Sequence, residues 1–177
     1  MKDIEKHLKE ILKSISGNIL GIGIKDEKLI KIIDNNININ NCTLLNNINT
    51  SDSDEKGYIQ TINIRRLRKV FKKKKTDYII GNMEDLEKYL KYFIKDSIFI
   101  SRNKIYLYGK LDKEKFDNLV KKYERYNVEI AIRRYRQNFL LTIDSQNAKS
   151  YKLKDLGYFI YDTISDLLTI FTDILAK

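Results

Sequence analysis

Proline and tryptophan are absent from this 177-residue chain, and cysteine and histidine occur once each, as Cys42 and His7. A single cysteine cannot close an internal disulfide, and one cysteine with one histidine makes no Cys/His cluster for structural zinc. One histidine also leaves no Ser/His/Asp or Cys/His pairing for nucleophilic catalysis, so no catalytic residue is assigned. His7 reads as a surface or half-buried residue of an amphipathic helix, and Cys42 as a core residue of a strand. No run approaches the roughly eighteen uncharged apolar residues that a membrane span needs, and charges are scattered through "MKDIEKHLKEIL" where a signal peptide would be purely apolar. The chain is therefore expected in the reducing cytoplasm, without a membrane partner and without a metal.

What is present is 42% hydrophobic residues, enough for one substantial core, and a formal charge of +10. Clustered cations favour phosphate partners through counterion release. Ile, Asn and Lys crowd the chain, however, as an AT-rich coding sequence would produce without selection for any ligand, so clustering of charge carries more weight than its sum. The expected organisation is one α/β domain over 1–177: an amino-terminal helix (1–16), a sheet core (17–145) and an apolar carboxyl-terminal helix (153–176).

Ile4, Leu8, Ile11, Leu12 and Ile15 recur at helical spacing and the helix stops near Gly17. "NILGIGI" suits a buried strand, and "DEKLIKIIDNN" a helix capped by Asp26 with Leu29, Ile30, Ile32 and Ile33 turned inward. "NNCTLLN" is a second strand, and "NNINTSDSDEK" a long polar loop whose alternating carboxylates lack the glycine and distal glutamate of a calcium loop. Ile64, Leu67, Val70 and Phe71 give a helical face, "TDYIIGN" a strand, "MEDLEKYLKYFIKD" a helix, "SIFIS" a strand and "NKIYLYG" a short extra strand. A helix opened by Asp112 and lined by Phe116, Leu119, Val120 and Tyr123 follows, then "VEIAIRRYR" and "NFLLTIDS" as an antiparallel hairpin around Gln137. Such alternation predicts a mostly parallel, Rossmann-like sheet with helices on both faces, an antiparallel hairpin and a long final helix.

In such a sheet the first strand-to-helix turn is the usual phosphate or nucleoside seat, and "NILGIGIKDEKLI" occupies it. The order from about Ile19 to Ser145 resembles the class I S-adenosylmethionine-dependent methyltransferase fold. That family ends its first strand in an acidic residue, an apolar residue and Gly-x-Gly-x-Gly. Here Gly21 replaces the acidic residue, Gly23 matches the first glycine, and Lys25 and Glu27 stand at the next two, so the donor motif is degenerate. Asn46 and Asn47 stand where the family's second strand supplies a carboxylate to the ribose, and "DYIIGN" looks like its segment facing donor and acceptor. The resemblance implies S-adenosylmethionine as cofactor, lined by Gly21, Gly23, Asn46, Gly81 and Asn82.

Two basic knots suit nucleic acid, RNA in particular: Arg65, Arg66, Arg68, Lys69 and Lys72 on one helix, and Arg133, Arg134 and Arg136 around Tyr135 at the hairpin. They equally suit a solvated helix face and a charged strand edge that blocks aggregation. Ile160, Ile164, Leu167, Phe171 and Ile174, widened by Phe159, Tyr161, Leu168, Ile170 and Leu175, make the last helix apolar enough to bury more than one side, in its own domain or in a homodimer. Three functions stay open: a methyltransferase-like protein with an RNA or other acidic acceptor, a non-catalytic nucleic-acid-binding module, and an oligomeric accessory or scaffold protein.

Overall fold

A computed structural model describes residues 2–45, 67, 71, 76–87, 90–123 and 128–148. The acidic loop, Asn46, the basic knot of Arg65, Arg66, Arg68, Lys69 and Lys72, and the final helix with its homodimer expectation lie outside the described residues. The elements run α1 (Lys2–Ser14), β1 (Gly17–Ile22), α2 (Glu27–Asp34), β2 (Ile39–Leu45), β3 (Thr76–Asn82), α3 (Met83–Leu86), α4 (Leu90–Ile100), β4 (Ser101–Lys110), α5 (Lys113–Tyr123), β5 (Glu129–Tyr135) and β6 (Asn138–Asp144). The six strands form one sheet in the order β2-β1-β3-β4-β6-β5. β1 to β4 are mutually parallel, and β6 lies antiparallel between β4 and β5. This is the expected mostly parallel sheet with an antiparallel pair at its edge.

Alternation along each strand divides the apolar side chains between two faces. Ile19, Ile80, Tyr106 and Leu140 meet Ile4, Leu8 and Leu12 of α1 and Leu29 and Ile33 of α2. Leu20, Ile79, Ile105, Leu107 and Leu141 meet Phe93 and Ile94 of α4, Phe116 and Tyr123 of α5, and Leu67. Of the expected 64–71 face only Leu67 and Phe71 are described, and Phe71 N–H donates to the Leu67 carbonyl at 2.8 Å. Phe116 stacks on Phe139 at 4.3 Å between ring centroids, fixing α5 against β6. Cys42 is half-buried in β2, and burial followed by the charge of Asp34 pushes its thiol up to about 12. No helix among the described residues is long and apolar enough to cross a membrane.

Two elements differ from expectation. The first four residues of "SIFIS" are not a strand but the last turn of α4, its Ser101 opens β4, and "NKIYLYG" is no extra strand but the body of β4. A short run apolar on every side fits a buried helix end as well as a buried strand, and Ile98 and Ile100 pack into the core from the helix. The polar pair Arg102 and Asn103 is no strand break either. Thr76 pairs with Ser101 but Tyr78 with Lys104, so β4 carries an extra residue there, and Arg102 Nη1 lies 3.7 Å from Asp77 Oδ1. Of the helix expected from "MEDLEKYLKYFIKD", the stretches Met83–Leu86 and Leu90–Ile100 are helical among the described residues.

Both expected helix starts are built as caps. Asp26 Oδ1 accepts from Lys28 N–H at 2.8 Å, and Asp112 Oδ1 from Glu114 and Lys115 N–H at 3.0 and 3.2 Å. Asp112→Ala is expected to remove about 1 kcal/mol of stability, read as a lower urea midpoint at unchanged slope. An unchanged midpoint would mean that the core contacts of Phe116 and Tyr123 alone hold α5.

Candidate functional site

The chain leaves β1 toward β2 on one side, while β3 pairs on the other, so the sheet order reverses between β1 and β3. In open α/β sheets such a reversal is where the crevice at the carboxyl ends of the strands receives ligands. Gly23 stands there with φ +66°, a left-handed conformation that side chains disfavour. Its N–H donates to the Leu45 carbonyl at 3.0 Å. A Cβ on Gly23 would lie 3.0 Å from both Cβ and Oδ2 of Asp85 and 3.4 Å from Cβ of Asn82. The first turn therefore rests directly on the turn that follows β3.

That second turn is fixed from its own side. Asn82 Oδ1 accepts from Glu84 N–H at 3.0 Å, capping α3, and Glu84 Oε1 accepts from Lys110 N–H at 3.0 Å at the end of β4. Gly109 (φ +127°) makes room for it, since a Cβ there would sit 2.9 Å from Asn82 Oδ1. Asp85 then faces the β1 turn. Its Oδ1 holds Lys25 Nζ at 2.6 Å, and its Oδ2 is buried with no hydrogen-bond partner among the described residues. Tyr108, opposite Asn82 in the sheet, completes the wall. Burial first, then the charges of Asp26, Asp85 and Glu84, push its phenol well above the usual tyrosine range, so it stays a neutral O–H facing an acidic corner. Despite the chain's net positive charge, this crevice is acidic. Among the described residues no three His, Cys, Asp or Glu side chains converge to hold a metal ion.

The structure brings Gly23 and Asn82 together. Gly21 and Gly81 lie deeper in the strands, where the space of a Cβ on Gly21 is taken by Leu44 and Ile24, and that on Gly81 by Leu107, Leu86 and Phe93. Arg133, Arg134 and Arg136 lie apart from them, at the tip of the β5–β6 hairpin. Sequence reasoning missed Asp85, Glu84 and Tyr108. The signals were "MED" directly after the third strand and a tyrosine one step before the glycine that ends "IYLYG", but only strand register brings them to one place.

No protein-family model matches the chain, and no curated protein matches its sequence. Solved structures do match its fold. The methyltransferase domain of bacterial CtHen1 superposes with a TM-score of 0.60 at 11% identity, over 81% of this chain and 96% of that one. The ribosomal protein L11 methylase of Lactobacillus delbrueckii subsp. bulgaricus gives 0.58 at 12% identity, over 78% and 76%. Human methyltransferase-like protein 13, in complex with S-adenosylhomocysteine, gives 0.57 at 13% identity, over 84% and 80%.

Proposed function

From the Rossmann-like methyltransferase fold that this chain has, we propose that it is a single-domain, methyltransferase-like protein that binds S-adenosylmethionine across the carboxyl ends of β1 and β3. The observation that carries this is the Asp85 carboxylate, whose buried Oδ2 lacks a partner among the described residues beside a Gly23 that presents no Cβ. A donor bearing a sulfonium and an ammonium is the kind of ligand an acidic, partly unsatisfied corner favours. The residues present fit it: Gly23 lets the Asp85 turn pack directly against the first turn, Asp85 and Asp26 supply negative charge, and Tyr108 supplies a neutral donor. Asn82 holds the second turn in place, Gly21 and Gly81 let the strands pack closely beneath, and Asn46 is proposed at the ribose end. Bound there, S-adenosylmethionine would supply a methyl group already activated on sulfur. The protein's part is then to orient the acceptor and exclude water, which needs no acid/base pair.

Lys25 stands where the methyltransferases carry a glycine, and its ammonium already pairs with one oxygen of the Asp85 carboxylate. The pair is half-exposed, so its strength is at most about 1 kcal/mol. Calorimetric titration with S-adenosylmethionine and S-adenosylhomocysteine is expected to show micromolar binding, and Lys25→Ala to tighten it about fivefold by removing the internal competitor. No heat from either protein at millimolar ligand, with both samples folded, would overturn the assignment. It would leave the second reading, a binding module that keeps the sheet without methyl transfer, which the ion pair across the crevice favours.

A further inference from the structure

β5 is antiparallel to β6 and β6 to β4, so β5 runs in the same direction as β1. Its carboxyl end, Tyr135, and the turn at Arg136 and Gln137 therefore stand at the same end of the sheet as the acidic crevice. One register row links them: Asn82 opposite Tyr108, Tyr108 opposite Leu140, and Leu140 opposite Arg133. Residues directly opposite share a face, and three strand spacings of about 4.8 Å put Arg133 roughly 14 Å from the crevice.

The hairpin tip is cationic on both faces. Arg133 is exposed and its Nη1 lies 2.8 Å from Nε2 of His7, a ring that tilts toward Tyr135 at 6.4 Å. Arg134, on the opposite face, sits 5.6 Å over the Phe139 ring while its Nε donates to the Arg136 carbonyl at 3.3 Å. Arg136 takes φ +56° at the turn, the described residues' one positive φ outside glycine, which presents its side chain at the apex. None of the three arginines pairs with a carboxylate among the described residues. Asp26, Glu84 and Asp85 are confined to the other half of the same end. Carboxylates thus gather at β1 and β3, with Lys25 paired to Asp85, and arginines at β5 and β6, where Glu10 lies 3.5 Å from His7.

We infer that the hairpin tip holds the phosphodiester backbone of a single-stranded nucleic acid, which is thereby the acceptor class of the crevice. This rests on the proposed donor site. A cationic donor and a polyanionic acceptor would each be drawn to their own half and kept from the other's. Guanidinium groups suit phosphate because they are planar, permanently charged and weakly hydrated. The half-buried Tyr135 beside His7 offers ring surface next to the arginines, the combination on which unpaired bases stack.

The test is fluorescence anisotropy with a labelled oligoribonucleotide of about sixteen nucleotides, across a salt series, in the full chain. Arg134→Gln with Arg136→Gln leaves the contact between Arg133 and His7 intact, and the triple variant adds Arg133→Gln. Each lost arginine is expected to flatten the log–log salt slope by about 0.7, hence by about 2 in the triple variant, with a matching loss of low-salt affinity. An unchanged slope and affinity in a folded triple variant would overturn the inference, as would displacement of the RNA by polyglutamate at equal charge concentration. Calorimetry with S-adenosylhomocysteine on the same variant separates the two proposals. Retained ligand binding with lost RNA affinity supports both, whereas a wild-type protein that binds RNA through the arginines but no ligand overturns the donor site and, with it, the acceptor role of the tip.

Discussion

Gly23→Glu is expected to abolish binding of S-adenosylhomocysteine at concentrations that saturate the wild type, and to lower stability by about 2–4 kcal/mol. Two causes add. A residue with a side chain at φ +66° is strained by roughly 1–2 kcal/mol, and its Cβ would stand 3.0 Å from Cβ of Asp85, on a turn held by Asn82 and Glu84 that cannot easily retreat. The new carboxylate would also face Asp85. Gly23→Asn separates the causes, because asparagine tolerates the left-handed region but brings the same Cβ. It is expected to recover about 1 kcal/mol of stability relative to Gly23→Ala, without recovering ligand. Urea unfolding and calorimetry on the three variants read both quantities. Full ligand affinity in Gly23→Asn would remove Gly23 from the site.

Asp85→Asn should weaken S-adenosylmethionine binding by tens of fold, corresponding to the roughly 1.5–3 kcal/mol of a hydrogen bond to a charged group. The change keeps shape and removes charge. Its effect on folding should stay below about 1 kcal/mol, since the lost ion pair with Lys25 is half-exposed. The loss should be larger for S-adenosylmethionine than for its demethylated product, which lacks the sulfonium charge. Equal losses would assign Asp85 to the amino-acid end of the ligand, and no loss for either would sink its role.

The sequence made the fold legible where local chemistry and periodicity agree. Asp26 and Asp112 announce helix starts that the structure builds as caps, and the alternation of Ile19, Leu20 and Ile22 or Ile79 and Ile80 distributes side chains to two cores. Legibility failed at "SIFIS", because five residues without a polar face carry no period, and at Arg102 and Asn103, because an extra residue in a strand looks locally like a break. The crevice was half legible. Gly23 and Asn82 stood out from their place at strand ends, but Asp85 and Tyr108 matter through a register between β1, β3 and β4 that no local pattern encodes. The pairings of β4 with β6 and of β6 with β5 place the arginines of the hairpin on the crevice's end of the sheet.

The pairing of β1 with β3 also bears on how the protein assembles. Asn18 and Asp77, bonded across it at 2.8 Å, are 59 residues apart in the chain, and Lys25 and Asp85 at the crevice are 60 apart. Closing so long a loop is an entropic demand that local helices and the β5–β6 hairpin do not face. The crevice is therefore absent from any partly folded form in which β1 and β3 have not met, and a ligand bound there would recognise only the completed sheet. A molecule bound there at a hundred times its dissociation constant would add about 2.7 kcal/mol to the folded state, making occupancy itself a measure of how much of the chain has finished folding.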